Sequence, residues 1–130
     1  MSLEGVYFHM GRQHSFNAGT ASPTLFDYVK LMMGSRLDID GGLFTVPHSG
    51  TYQFTFSGLA GDGGNTLVEL TVNGECIGAS YGLEYDDTLW IAELIDAKKG
   101  DKVAIRVTGP LYDSNILYTH FTGQLVAPKC

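Results

Sequence analysis

The stretch Leu43–Leu59, LFTVPHSGTYQFTFSGL, decides the fold class. Within it Tyr52, Phe54 and Phe56 alternate strictly with Thr51, Gln53, Thr55 and Ser57. Successive side chains of a β-strand point to opposite faces, so this spacing puts three rings on one face and polar groups on the other. Pro47 offers no ladder donor and Gly50 tolerates positive φ, which places a turn over 47–50. Upstream, Leu43, Phe44 and Val46 form a second β-prone run just after the turn residues Asp40, Gly41 and Gly42. Rings this closely spaced are expected to seed the core of a β-sandwich, with Phe44, Tyr52, Phe54 and Phe56 inside it.

Downstream, Gly61-Asp62-Gly63-Gly64-Asn65 reads as a loop, followed by a strand carrying Leu67, Val68, Leu70 and Val72. Asn73-Gly74 is the strongest short hairpin signal, because both residues accept positive φ. Glu75–Tyr81 is the expected partner strand. Glu84, Tyr85, Asp86 and Asp87 then make an acidic turn. Leu89–Ile95, LWIAELI, reads as a strand apolar enough to be buried on both faces. After the turn Lys98–Asp101, Lys102–Thr108 alternates again, and Ile116–Val126 closes the chain with Phe121 and Gly123. Towards the N-terminus, Val6–Met10 is β-prone, and Gly11–Pro23 reads as a long loop with at most one short strand. Leu25–Met33 fits neither a helical nor an alternating period cleanly and is read as strand or loop. The sum is roughly eight to ten short strands about ten residues apart, with no firm helix, which is the signal of a sandwich or jelly roll.

Composition narrows the function classes. One hundred and thirty residues suit one domain. Seventeen glycines against four prolines suit many tight turns, and no G-X-Y period marks a collagen segment. A formal charge of −6, with no basic cluster beyond Lys98-Lys99, argues against a nucleic-acid partner. No apolar run approaches the roughly 18–20 residues of a membrane-spanning helix, so membrane insertion is not expected. Residues 1–5 lack the basic and apolar regions of a signal peptide and read as a cloning remnant or linker ahead of a domain over 6–130. Cys76 and Cys130 form no disulfide framework or zinc spacing. Cys76 is expected to be a small, half-buried apolar residue.

Five motifs in order give this chain a family resemblance. F-x-V-P-x-x-G-x-Y-x-F-x-F runs from Phe44 to Phe56. Asn73-Gly74 follows an alternating strand, and Gly100-Asp101-Lys102-Val103 leads to Arg106-Val107. Leu111-Tyr112-Asp113 precedes the closing Phe121-Thr122-Gly123-Gln124-Leu125-Val126. Together they resemble the globular head of complement C1q, over roughly Val6–Val126. The resemblance implies an all-β, two-sheet jelly-roll sandwich of about ten strands, related to tumour necrosis factor, with Phe121 also in the core. It further implies a secreted, non-enzymatic homotrimer that recognises extracellular protein or glycan ligands in innate immunity or cell-surface signalling. The alternative is a structural head that only trimerises a matrix or surface-coat protein. Departures lie at Gln124, where the family often has a second aromatic residue, and in a short Tyr112–Asn115 segment. Both bear on surface functions, since loops carry binding.

No catalytic constellation stands out. His9, His14, His48 and His120 are scattered, and G-x-S-x-G is absent. Oxygen ligands beside permissive glycines at Asp38, Asp40, Asp62 and Asn65 offer a hard cation a place, although these residue types are also ordinary turn formers. Calcium-binding relatives use acidic residues flanking the strand that here spans Thr66–Val72. The matching positions are Asn65 and Gly74, so no cofactor is expected. The remaining binding candidates are Glu84, Tyr85, Asp86, Asp87, Tyr112 and Asp113. Trp90 is read as core or as a contact between protomers. The apolar surplus of Leu89–Ile95 and Val6–Met10 implies self-association.

Overall fold

A computed structural model describes residues 5–12, 16–17, 22–23, 26–34, 36–38, 42–112 and 118–129; for 16–17, 22–23 and 36–38 only the backbone is described. Asp40, Asp113 and Cys130, and the side chain of Asp38, lie outside the described residues. The strands in chain order are β1 (Tyr7–Arg12), β2 (Phe16–Asn17), β3 (Ser22–Pro23), β4 (Tyr28–Met33), β5 (Arg36–Asp38), β6 (Leu43–Thr45) and β7 (Gly50–Ala60). There follow β8 (Thr66–Val72), β9 (Glu75–Gly82), β10 (Thr88–Ala97), β11 (Lys102–Thr108), β12 (Pro110–Tyr112) and β13 (Thr119–Pro128). All pairings are antiparallel. One sheet runs β2-β12-β7-β13-β1-β4 with β10 on β7; the other runs β5-β6-β11-β8-β9 with β3 on β11. This is the two-sheet jelly-roll sandwich that the strand pattern and the resemblance predict.

The strand β7 behaves as its alternation dictates. Tyr52, Phe54 and Phe56 are buried, while Gln53, Thr55 and Ser57 face outward and are only partly covered. Pro47–Ser49 does not close a hairpin. It carries the chain from one sheet to the other, because β6 pairs with β5 and β11 whereas β7 pairs with β13 and β10. Phe44 therefore faces the rings of β7 across the sandwich, with centroids 5.8 Å from Phe54 and 6.0 Å from Tyr52. Phe8 and Phe121 complete the cluster, 4.7 Å from Phe44 and 6.2 Å from Phe54 respectively. The hydroxyl of Tyr52 donates to the carbonyl of His48 at 2.7 Å, giving the one polar atom of this buried ring a partner.

Gly123 makes the ring cluster possible. It sits between Phe8 and Phe54 in register, facing the core. A Cβ there would collide with the Phe8 ring and lie 2.8 Å from that of Phe54. The two rings occupy the space that a side chain would take.

Asn73 and Gly74, at φ 55° and 85°, turn β8 into β9 as the dipeptide predicts. Within 25–33, read as strand or loop, Tyr28–Met33 is a strand at the edge beside β1. Elsewhere the sequence reading needs correction. The segment 11–23 is not one loop: β1 extends to Arg12, and β2 and β3 each add a two-residue bridge. The strand at 89–95 is buried on one face only. Leu89 and Ile91 point inward, and Trp90 and Leu94 point outward, because none of the described residues covers that side of β10. Trp90 is thus not a core residue. The apolar residues of Val6–Met10 are mostly accounted for, since Val6, Phe8 and Met10 are all in the core. Cys76 is exposed rather than half-buried. A bulge between Leu70 and Thr71 shifts the pairing of β9, and the thiol comes out beside Glu69 on the outward face. Loss of solvation and the neighbouring Glu69 carboxylate both push this thiol's pKa up, which does not favour a reactive thiolate.

Candidate functional site

Two surfaces stand apart from the structural remainder. The first is the outward face of the sheet built on β7. Register places three rows across it: Met33, Tyr7, Gln124, Gln53 and Leu94; Leu31, His9, Thr122, Thr55 and Ala92; Tyr28, Gly11, His120, Ser57 and Trp90. The margins of the face are apolar and the middle is polar. On the β4 side Leu31 and Met33 are exposed, and on the β10 side Trp90 and Leu94 are 61% and 62% exposed. Between them lies an open depression of about 630 Å³, lined by Tyr7, His9, Gln53, Thr55 and Thr122 among others. His9 Nε2 lies 2.8 Å from His120 Nδ1 in this middle strip. Loss of solvation, then His120, then Lys30 hold the His9 pKa below its usual value.

The second surface is at the end of the sandwich where β7 finishes. Here the backbone ties three loops together. Asn65 N–H donates to the carbonyl of Leu83, Gly61 N–H to that of Pro110, and Ala60 and Asp87 bond likewise. The result brings together two segments that the sequence offered separately. Tyr85 meets Tyr112 edge-on with centroids 5.7 Å apart, and Tyr112 meets Tyr118 at the same distance. Partial desolvation, then Tyr112, Asp86, Asp62 and Tyr118, raise the pKa of the Tyr85 phenol, so both acidic loops bear on it. Tyr118 is a member that sequence reasoning missed; only its aromatic character five residues beyond Asp113 hinted at it.

Not every acidic candidate is free to act there. Asp87 Oδ2 accepts from the N–H groups of Leu83 and Glu84, both at 3.0 Å, so this carboxylate shapes its own turn. Asn65, at φ 54°, accepts from the Tyr81 hydroxyl. Its carbonyl oxygen, offered above as a cation ligand, is already engaged. Asp62 remains exposed on its loop. Among the described residues no three His, Cys, Asp or Glu side chains converge as a metal would require.

Comparison with known proteins places this geometry. A C1q-domain family model matches residues 7–126. The chain belongs to the C1q-domain family. Solved structures agree on the fold. The globular domain of zebrafish complement 1qA protein superposes with a TM-score of 0.78 at 21% identity, over 95% of this chain and 99% of that one. Murine APRIL gives 0.74 at 15% identity, over 95% and 100%. The Eiger TNF of S. frugiperda gives 0.69 at 17%, over 97% and 94%. In this C1q domain the family's glycine in the closing strand is Gly123, the residue that admits the Phe8 and Phe54 rings. The Gln124 departure lies on the outward face opposite Gln53, away from the core.

Proposed function

We propose that this C1q domain is a non-enzymatic, homotrimeric recognition head that works outside the cell. The observation that carries the reading is the pattern of the outward face: two apolar margins, Leu31 with Met33 and Trp90 with Leu94, on opposite sides of a polar strip. Exposed apolar patches on a folded domain mark interfaces. Margins of unlike shape suit a heterologous contact, in which one protomer's β10 side covers the next protomer's β4 side, and such a contact closes as a ring. The number three comes from the family.

Ligand recognition falls to the end bearing Tyr85, Tyr112 and Tyr118 with Glu84, Asp86 and Asp62. Recognition is favoured over a purely structural head by the convergence there of the exposed Tyr85 ring, the half-buried Tyr112 and Tyr118 rings and carboxylates from separate loops. The chain's first and last described residues lie at the opposite end, where Val6 and Leu125 are hydrogen-bonded. The tyrosine end is thus remote from residues 5 and 129.

Size exclusion with light scattering tests assembly: a trimer is expected for the wild-type chain and a monomer for Trp90→Ser/Leu94→Ser. A wild-type monomer at micromolar concentration sinks the reading. An extracellular protein and glycan array probed with the trimer and with Tyr85→Ala tests recognition. Ligands lost on that substitution support it, and an array blank for both favours the structural head.

A further inference from the structure

This inference rests on the extracellular reading and deepens it, and it concerns Tyr85. Glu84–Asp87 is a β-turn, closed by the Asp87 N–H donating to the Glu84 carbonyl at 3.2 Å, with Asp86 at φ 67° in its second corner. Tyr85 holds the first corner. The Asp87 carboxylate stiffens the turn by accepting from the Leu83 and Glu84 N–H groups, and the Asp86 N–H ties it to the Ala60 carbonyl at 2.9 Å, where β7 ends. Tyr85 is thereby displayed rather than buried: it is 51% exposed, between the exposed Glu84 and Asp86. Its ring meets Tyr112 edge-on, and its hydroxyl makes no hydrogen bond to any described residue. No other tyrosine combines these features. Tyr52 is buried with its hydroxyl on His48, and Tyr81 is exposed but bonded to Asn65. Tyr7, Tyr28, Tyr112 and Tyr118 are half-buried, and Tyr85 alone has an acidic residue on both sides.

After loss of solvation and the Tyr112 ring, the charges of Asp86 and Asp62 bear on the Tyr85 phenol and keep it protonated. No lysine or arginine occurs between Arg36 and Lys98, so the loops carrying Asp62 and Tyr85 supply no cation of their own. An exposed phenol between carboxylates is suited to accept a sulfuryl group. The donor for such a transfer is a mixed anhydride of sulfuric acid with an adenosine phosphate, and a cleft that holds this polyanion is lined by arginine and lysine. Acidic residues on both sides of the acceptor complement a cleft of that sign and steer the turn into it. In the step itself the phenol oxygen bonds to sulfur as the bond from sulfur to the donor's phosphate oxygen breaks. The adenosine phosphate leaves with the electron pair, a base of the transferase takes the phenol proton, and nothing is oxidised or reduced. A chain that works outside the cell travels through the secretory compartments, where tyrosine sulfotransferases act. Cytosolic tyrosine kinases would meet only a chain that stays inside.

We propose that Tyr85 is a sulfation site, its phenol carrying a sulfate ester in the protein as it works outside the cell. The purified, folded chain is incubated with a tyrosine sulfotransferase and the adenylyl sulfate donor, and intact mass with peptide fragmentation reads the result. One added sulfur trioxide per chain is expected, located at Tyr85 and removed by hot acid, which leaves a tyrosine phosphate intact. Tyr85→Phe should take up none, and Tyr81→Phe should take up as much as the wild type. Glu84→Gln/Asp86→Asn, which keeps the phenol and the Asp87 bonds, should be sulfated at least about tenfold more slowly. A wild-type chain that stays unmodified, a label that survives Tyr85→Phe, or a charge variant that reacts at the wild-type rate overturns the proposal and leaves the extracellular reading standing. Should a variant misfold by circular dichroism, the wild-type fragmentation map decides: a label on another tyrosine overturns the proposal. Protein recovered from its own source supplies the second arm. An extracellular chain whose Tyr85 is unesterified, or carries an acid-stable phosphate, overturns the proposal alone, and a chain found only in the cytosol overturns both.

Discussion

Phe54→Ala is the sharpest test of the core. Phe54 is fully buried, and its ring lies 5.8–6.2 Å from those of Phe8, Phe44, Tyr52 and Phe121, so it joins both sheets. Truncation removes the transfer free energy of a whole ring and leaves a cavity walled by side chains that cannot all close in, because each is held by its own strand. Buried Phe→Ala changes cost about 3–5 kcal/mol. A domain of this length has a total stability of roughly 6–20 kcal/mol, so a large share is lost. At the unfolding entropy expected for this length the same loss lowers the melting temperature by roughly 11–18 °C. Urea unfolding followed by circular dichroism, at one fixed protomer concentration, measures it. The midpoint should fall while the slope stays constant. Thr55→Ala, one residue along and on the outward face, should change the intrinsic stability of the protomer by less than about 0.5 kcal/mol. A Phe54→Ala loss below about 1.5 kcal/mol, or equal losses at 54 and 55, would refute the alternation argument.

Gly123→Ala should destabilise by about 1–3 kcal/mol although it adds only a methyl group, since the Phe8 and Phe54 rings must move to admit it; a neutral result in the same urea assay would show the rings to be loosely held. Stability of the unassembled protomer should fall as the pH drops below 6.5. The His9 pKa is lowered in the fold, so the unfolded chain takes up the proton first, and the stabilising contribution present above 6.5 is lost on the acid side. His9→Gln should flatten that part of the pH–stability curve, and an unaltered slope would contradict the assignment. Millimolar calcium should leave the melting temperature unchanged, because Asn65 is bonded to Tyr81 and Gly74 has no side chain; a rise of several degrees abolished by Asp62→Asn would overturn this.

The core was legible because its signals are local. Alternation at 51–57 needs only the geometry of an extended chain, and Asn73-Gly74 needs only a tolerance of positive φ. The surfaces were harder to read for the opposite reason. Trp90 and Leu94 have the composition of buried residues, and only the position of β10 beside β7, with none of the described residues over its outer side, exposes them. Cys76 was misplaced by a bulge whose cause lies in the pairing of β8 with β9. His9 and His120 are 111 residues apart, and no spacing rule joins them. The acidic turn 84–87 was recognisable as a turn, but its divided labour was not: Asp87 holds the backbone, and Tyr85 turns out to Tyr112.

One feature of the strand order bears on how this domain responds to force. The first and last long strands, β1 and β13, are antiparallel neighbours, and the Leu125 N–H bonds to the Val6 carbonyl at the end where residues 5 and 129 lie. Ladder bonds in such a pair run perpendicular to the strands. Tension applied between residues 5 and 129 therefore loads the ladder one rung at a time, beginning at Val6–Leu125, and peels β1 away like a zipper. A shear pull along the strands would load many rungs at once. Mechanically the protomer should yield at low force from this end, exposing Phe8 and then the rings beneath it. A neighbouring protomer clamped over β1 and β4 would raise that threshold.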